Sequence, residues 1–123
     1  MNLLSTLLLF VCFTAAAQPP HDEQAGGIYI SKDQGASWEQ ANTGFPADAV
    51  NDWVVKDESV LAGTDTHGIF ISSDRARSWY SSNKGLPKNV RITSLAVYNN
   101  VLLAGTFTNG LFLSYDNGQT WNV

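Results

Sequence analysis

The most concentrated chemistry in this 123-residue chain lies in three near-copies of one short motif. They read Ser31-x-Asp33-x-Gly35-x-Ser37-Trp38, Ser72-x-Asp74-x-Ala76-x-Ser78-Trp79 and Ser114-x-Asp116-x-Gly118-x-Thr120-Trp121. A carboxylate flanked by hydroxyls can serve as one acid of a catalytic pair, as a metal ligand, or as the acceptor that closes a tight turn. An Asp inside a short loop accepts hydrogen bonds from loop N–H groups and from neighbouring hydroxyls. Glycine three residues before the Trp supplies backbone freedom for positive φ, and the indole can then cover the turn. Each Asp falls in a different repeat, so the three do not converge, and a structural role is the expectation. The second copy departs from the pattern. If Ala76 is left-handed, it costs on the order of 1 kcal/mol relative to glycine.

The elements that must position these motifs repeat with them. Asn42-Thr-Gly44-Phe-Pro46 matches Asn83-Lys-Gly85-Leu-Pro87, and Val60-Leu-Ala-Gly63-Thr64 matches Leu102-Leu-Ala-Gly105-Thr106. The period is about 42 residues, with one extra residue near Lys88–Arg91 and no helical periodicity, which is the size of a four-stranded propeller blade. Four strand signals fit within it. First strands are predicted at 50–56 and 92–98, and second strands at 60–64 and 101–106. Third strands are predicted at 27–31, 68–72 and 110–114, and fourth strands at 37–40, 78–81 and 120–123. Runs such as Ile69-Phe70-Ile71 are apolar without alternation, as suits strands covered on both faces. The fold class expected is therefore all-β, a propeller fragment of about two and a half blades. Its parts are a partial blade over 27–49, a blade over 50–91 and a blade over 92–123.

The repeated motif resembles the Asp-box, or BNR repeat, of sialidases, sortilin-type propellers, xyloglucan-degrading enzymes and photosystem II assembly factors. The resemblance covers nearly all of residues 27–123. It implies that the Asp turns lie at the end of the propeller opposite the usual ligand face. The face left for a ligand then carries the loops 42–49 and 83–91, together with Asp65, His67, Arg91, Phe107 and Asn109. His67 and Asn109 share a repeat position, as do Asp65 and Phe107, and chemistry that varies at equivalent positions is what a binding surface would show. Ordinary loop polarity is the alternative.

Enzyme chemistries find little support. A glycosidase needs two carboxylates about 5–10 Å apart. Glu23 falls in a polar stretch, Glu39 on an outer strand and Glu58 in a turn at the other end, which leaves Asp52 and Asp65 without an evident pair. A sialidase would add an arginine cluster for a substrate carboxylate, but Arg75 and Arg77 sit in an Asp turn and only Arg91 is near the right face. A nucleophile would need a His and an orienting acid, and neither His21 nor His67 has a motif partner. Asp65 and His67 alone are too few for a metal. No catalytic residue, metal or cofactor is expected. The net charge of −4 and pI near 4.8 argue against a nucleic-acid partner.

Residues 1–17, MNLLSTLLLFVCFTAAA, have the anatomy of a secretory signal peptide: an apolar core too short to span a bilayer, followed by Ala15-Ala16-Ala17. A buried N-terminal helix is the alternative. Cys12, the single cysteine, would leave with this segment, and residues 18–26 read as a polar linker. The resulting expectation is an exported, non-catalytic Asp-box segment that binds a protein or a glycan. It would have no transmembrane segment once processed. The alternative is the N-terminal part of a secreted glycoside hydrolase whose catalytic residues lie elsewhere. Closed propellers use roughly four to eight blades, so the chain also reads as part of a longer protein, to be completed by further blades or by self-association.

Overall fold

The computed structural model describes residues 9–12 and 27–123. These form ten strands and, among the described residues, no helix. The strands are β1 (Leu9–Cys12), β2 (Ile28–Ser31), β3 (Glu39–Gln40), β4 (Val50–Lys56), β5 (Ser59–Thr64), β6 (Ile69–Ser72), β7 (Tyr80–Ser81), β8 (Ile92–Tyr98), β9 (Val101–Thr106) and β10 (Leu111–Ser114). They make three antiparallel sheets: β1-β2-β3, β4-β5-β6-β7 and β10-β9-β8. The first two strands of each predicted repeat fall within a residue of their expected bounds, and β6 is buried throughout, as a run without alternation requires.

Two expectations are corrected. The fourth strands are shorter than the sequence suggests: β3 and β7 hold two residues each, and the third copy is reduced to a single Leu113–Asn122 bridge. In two of the three copies the segment has a competing partner. The Trp79 backbone N–H donates to the Thr43 carbonyl of the preceding sheet's loop (2.8 Å), and the Trp121 N–H to Lys84 (2.9 Å). In the second and third sheets the fourth strand thus begins by bonding outward to its neighbour and joins its own sheet late; β3 is equally short without such a bond among the described residues. The second correction concerns β2, which the sequence left unpaired on one edge. Leu9–Cys12 fills that edge, in a register from Leu9↔Ser31 to Cys12↔Ile28 that parallels β5 on β6, from Val60↔Ser72 to Gly63↔Ile69. An open strand edge has unpaired N–H and C=O groups, and an extended apolar segment satisfies them. The rest of the expected signal peptide and the linker 18–26 lie outside the described residues.

Two apolar layers hold the sheets against one another. Between the first and second sheets, Ile28 and Ile30 meet Val60, Ala62, Phe70 and Trp79, with Phe45 packed among the rings. Between the second and third, Leu61, Ile69 and Ile71 meet Ile92, Leu95, Leu102, Phe112 and Trp121. Fully burying one such aliphatic side chain is worth about 1.5–3 kcal/mol, so these layers carry most of the stability. Polar ties cross the second layer at its strands: the Leu95 N–H donates to Asp52 Oδ2 (2.8 Å), and Asn51 Nδ2 donates to the Ile92 carbonyl (2.9 Å).

The three Asp motifs all form one turn. Its two central residues both have positive φ: Gln34 and Gly35, Arg75 and Ala76, Asn117 and Gly118. That is the demand of a type I′ hairpin turn, for which Asn-Gly is the best sequence and Arg-Ala a poor one. Ala76, at φ 68°, is left-handed as expected, and its methyl group is buried in the layer between the first and second sheets.

Candidate functional site

The loops separate onto two ends. At one end lie the Asp turns and the β4–β5 turn, joined where Lys56 Nζ donates to the Asn117 side chain and to Asp57 (3.3 Å). At this end each motif serine is buried and doubly used. Ser31, Ser72 and Ser114 donate to Oδ1 of Asp33, Asp74 and Asp116 (2.9, 2.8 and 2.8 Å). The same hydroxyls accept the N–H of Gly35, Ala76 and Gly118 (2.7, 2.8 and 2.8 Å). Each carboxylate also accepts the N–H and the hydroxyl of the residue before the Trp: Ser37 (2.8 and 2.5 Å), Ser78 (N–H at 2.9 Å), and Thr120 (2.8 and 2.5 Å). These bonds favour the ionised form. Thr120 holds Asp116 down to about 2, Ser78 holds Asp74 down to about 2, and Ser37 lowers Asp33. The motif aspartates are spent on their own turns.

The sign of this shift gives a pH prediction. A carboxyl with a depressed folded pKa adds stability above its unfolded pKa and loses it as pH falls through the folded value. The melting temperature is therefore expected to decline as pH drops from about 4 to about 2. A doubly substituted Asp74→Ala, Asp116→Ala chain should melt below the parent at pH 6, with the gap closing toward pH 2. A gap that stays constant across that range would refute the assignment.

The opposite end gathers the loops after β5, after β9 and before β4 and β8. Here Arg91 meets Asp65 with two nitrogens, Nε to Oδ1 at 2.9 Å and a terminal nitrogen to Oδ2 at 3.5 Å. Its guanidinium lies 4.9 Å from the centre of the Phe107 ring. Asn51 Nδ2 also reaches Asp65 Oδ1 (3.3 Å). The backbone fixes this meeting, since the Phe107 N–H donates to the Arg91 carbonyl and the Asp65 N–H to the Ala49 carbonyl, both at 3.0 Å. Of the residues expected on the ligand face, Asp65, Arg91 and Phe107 thus come together. Asn109 stays within its own loop, bonded to Thr106 and Thr108.

His67 has a different partner, one that the sequence reading marked only as part of the 42–49 loop. Its Nδ1–H donates to Asp48 Oδ2 (2.8 Å), which also accepts the Thr66 N–H (2.8 Å) and hydroxyl (3.0 Å). Asp48 is buried. Burial alone would push its carboxyl up, but the bonds from His67 and Thr66 outweigh it and leave the carboxyl below its ordinary value. The ionised Asp48 accepts from Nδ1 and so fixes the orientation of the imidazole. The imidazole borders an open cleft of about 510 Å³, also lined by Ser81, Asn83, Pro87, Lys88 and Asn89. No family model matches the chain, and no curated protein matches it. Among the described residues no three His, Cys, Asp or Glu side chains gather to hold a metal, and no helix is long and apolar enough to cross a membrane.

One residue of this end carried no sequence signal. Asp48 meets His67 across nineteen positions of chain, with no motif spacing to announce it. Asp52, weighed in the sequence as a ligand-face acid, instead accepts the N–H groups of Trp53 (2.9 Å) and Leu95 (2.8 Å) and ties two sheets together.

Proposed function

We propose that this chain is an exported Asp-box propeller segment that acts as a non-catalytic binding module, with its ligand taken at the end opposite the Asp turns. Its sheets are read as blades, and a glycan is the favoured ligand. The observation that carries the reading is the Asp65–Arg91–Phe107 constellation. Phe107 is 65% exposed and offers an apolar plate. Beside it, Arg91 and Asp65 present donors and acceptors of both signs, the mixture that a sugar's hydroxyls and its apolar face call for. An exposed ion pair of this kind contributes at most about 1 kcal/mol to stability, so a ligand can displace it at little cost to the fold.

The electrostatics suit binding better than glycoside cleavage. A general acid needs a carboxyl whose pKa is raised. Asp48 is held below its usual range. The test is an immobilised oligosaccharide array probed with the full chain. Binding without turnover of fluorogenic glycosides is expected, and Arg91→Ala and Phe107→Ala should each weaken it by about tenfold or more with an unchanged melting temperature. Hydrolysis of any glycoside by the chain, or array binding indifferent to both substitutions, would refute the reading.

A further inference from the structure

The chain holds two Asn-Gly pairs, Asn109-Gly110 and Asn117-Gly118. This dipeptide carries a reaction of its own. Glycine has no Cβ to keep its backbone nitrogen away from the preceding side chain, so that nitrogen can attack the neighbouring carboxamide carbon. The dipeptide is the same in both places, and the fold treats the two in opposite ways.

At Asn117-Gly118 both reacting groups are engaged. The Gly118 N–H donates to the buried Ser114 hydroxyl (2.8 Å). The Asn117 carboxamide oxygen accepts from Lys56 Nζ. Gly118 is itself buried, with Ile71, Leu61 and Leu102 around the place a Cβ would take. Closing a ring there would break the Ser114 bond and press into the layer between the second and third sheets.

At Asn109-Gly110 the reacting groups stand open. Both residues are exposed, and nothing lies within 4 Å of a carbon added at Gly110. The Gly110 N–H has no acceptor among the described residues. The Asn109 carboxamide oxygen takes the Thr108 hydroxyl at 3.3 Å, a donor that polarises the carbonyl without blocking its carbon. The loop around the pair is pinned, since the Asn109 N–H donates to Thr106 Oγ1 (2.9 Å) and the Gly110 carbonyl accepts the Thr106 N–H and hydroxyl (3.0 and 2.7 Å). The second repeat shows that the openness belongs to the loop and not to its place near Val123. There the same loop runs from Thr64 to Gly68, and Asn83 folds against Gly68 with bonds to Ile69 and His67. His67, in the position of Asn109, is still 50% exposed, and the Gly68 N–H still has no acceptor among the described residues.

We propose that Asn109 is a site of spontaneous deamidation and that the fold protects Asn117 from the same reaction. The Gly110 nitrogen gives up its proton to solvent base and bonds to Asn109 Cγ. The Cγ–Nδ2 bond breaks, and ammonia leaves a five-membered succinimide. Water then opens the ring at Cγ, giving an aspartate at this position, or at the backbone carbonyl, giving an isoaspartate that routes the chain through the side chain. Either product adds one negative charge to the net −4 and places it in the loop that carries Phe107. The inference does not depend on any ligand.

The test holds the folded full chain at pH 8 for weeks and follows each Asn-Gly pair by peptide mapping with mass spectrometry. Conversion at Asn109 is expected, faster at pH 8 than at pH 6 because the attacking nitrogen must lose its proton. Asn117 should react at least about tenfold more slowly, the equivalent of about 1.4 kcal/mol on the barrier. In guanidinium chloride the two rates should converge, because the fold no longer separates two identical dipeptides. Gly110→Ala should slow conversion at Asn109 at least about tenfold, and Asn109→Gln should abolish it, with circular dichroism establishing that each variant folds. An Asn109 that stays intact in the folded chain overturns the proposal, whatever happens in guanidinium chloride. Equal rates at the two pairs in the folded chain overturn it as well.

Discussion

Trp79→Ala is expected to cost about 3–5 kcal/mol of stability, the range for emptying a buried indole site. Trp38→Ala, at the same place in the repeat, is expected to cost under about 1 kcal/mol. Trp79 is 5% exposed and meets Phe45 edge-on at 5.5 Å, and Phe45 in turn lies 5.1 Å from Phe70. Removing the indole empties the centre of the layer between the first and second sheets and leaves the Ala41 carbonyl without its donor, a further loss of about 1 kcal/mol. The backbone bond from residue 79 to Thr43 survives the substitution, so the loss isolates the side chain. Against a total stability of about 5–15 kcal/mol, this change alone consumes a large share. Trp79→Phe should fall between, because it keeps a ring but loses the N–H donor. Urea denaturation at pH 7 measures all three. Equal midpoint shifts for Trp38→Ala and Trp79→Ala would show that the repeat position, and not the neighbouring sheet, sets the cost.

The contrast between these two tryptophans also marks what the sequence can reveal. Repetition made the strands legible, because a strand and its turn are local and recur with their residues. Thus β4, β5, β8 and β9 emerge from the pattern almost residue for residue, and the Ser-Asp-hydroxyl turn can be argued from side-chain chemistry alone. What the repeat hides is anything settled between repeats. Trp38 and Trp79 look alike in sequence, but among the described residues only Trp79 packs against another sheet, and their exposures are 37% and 5%. Asp48 was illegible because its role depends on a loop nineteen residues away closing over it. Arg91 and Asp65 could be assigned to one end of the molecule, but their ion pair depends on how far the loop before β8 reaches, and that loop holds the one insertion in the repeat. The divergent residues of that end are the ones that fold repetition does not explain.

Gly85→Ala is the second substitution with a large expected effect, about 2–4 kcal/mol. It combines roughly 1 kcal/mol for a left-handed non-glycine residue with about 1–3 kcal/mol for overpacking. Gly85 has φ +96°, in a turn closed by the Leu86 N–H on the Asn83 carbonyl (2.9 Å). An added Cβ would fall on the backbone carbonyl oxygen of Trp121, far inside contact distance. Backbone cannot swing aside as a side-chain end can, and Trp121 is held here by its own N–H on the Lys84 carbonyl (2.9 Å). The turn and the tryptophan backbone thus fit one another from both sides, and a methyl group must pry the second and third sheets apart. Gly44 stands in the same relation to Trp79, so Gly44→Ala should behave alike. Gly110→Ala supplies the control. Its φ of +82° is equally left-handed, but nothing lies within 4 Å of the added carbon, so only the conformational cost of about 1 kcal/mol is expected. The difference between Gly85→Ala and Gly110→Ala in urea midpoint therefore measures the steric lock between sheets. If the two variants unfold together, the close approach at Trp121 does not hold the sheets in place, and the apolar layer must do so alone.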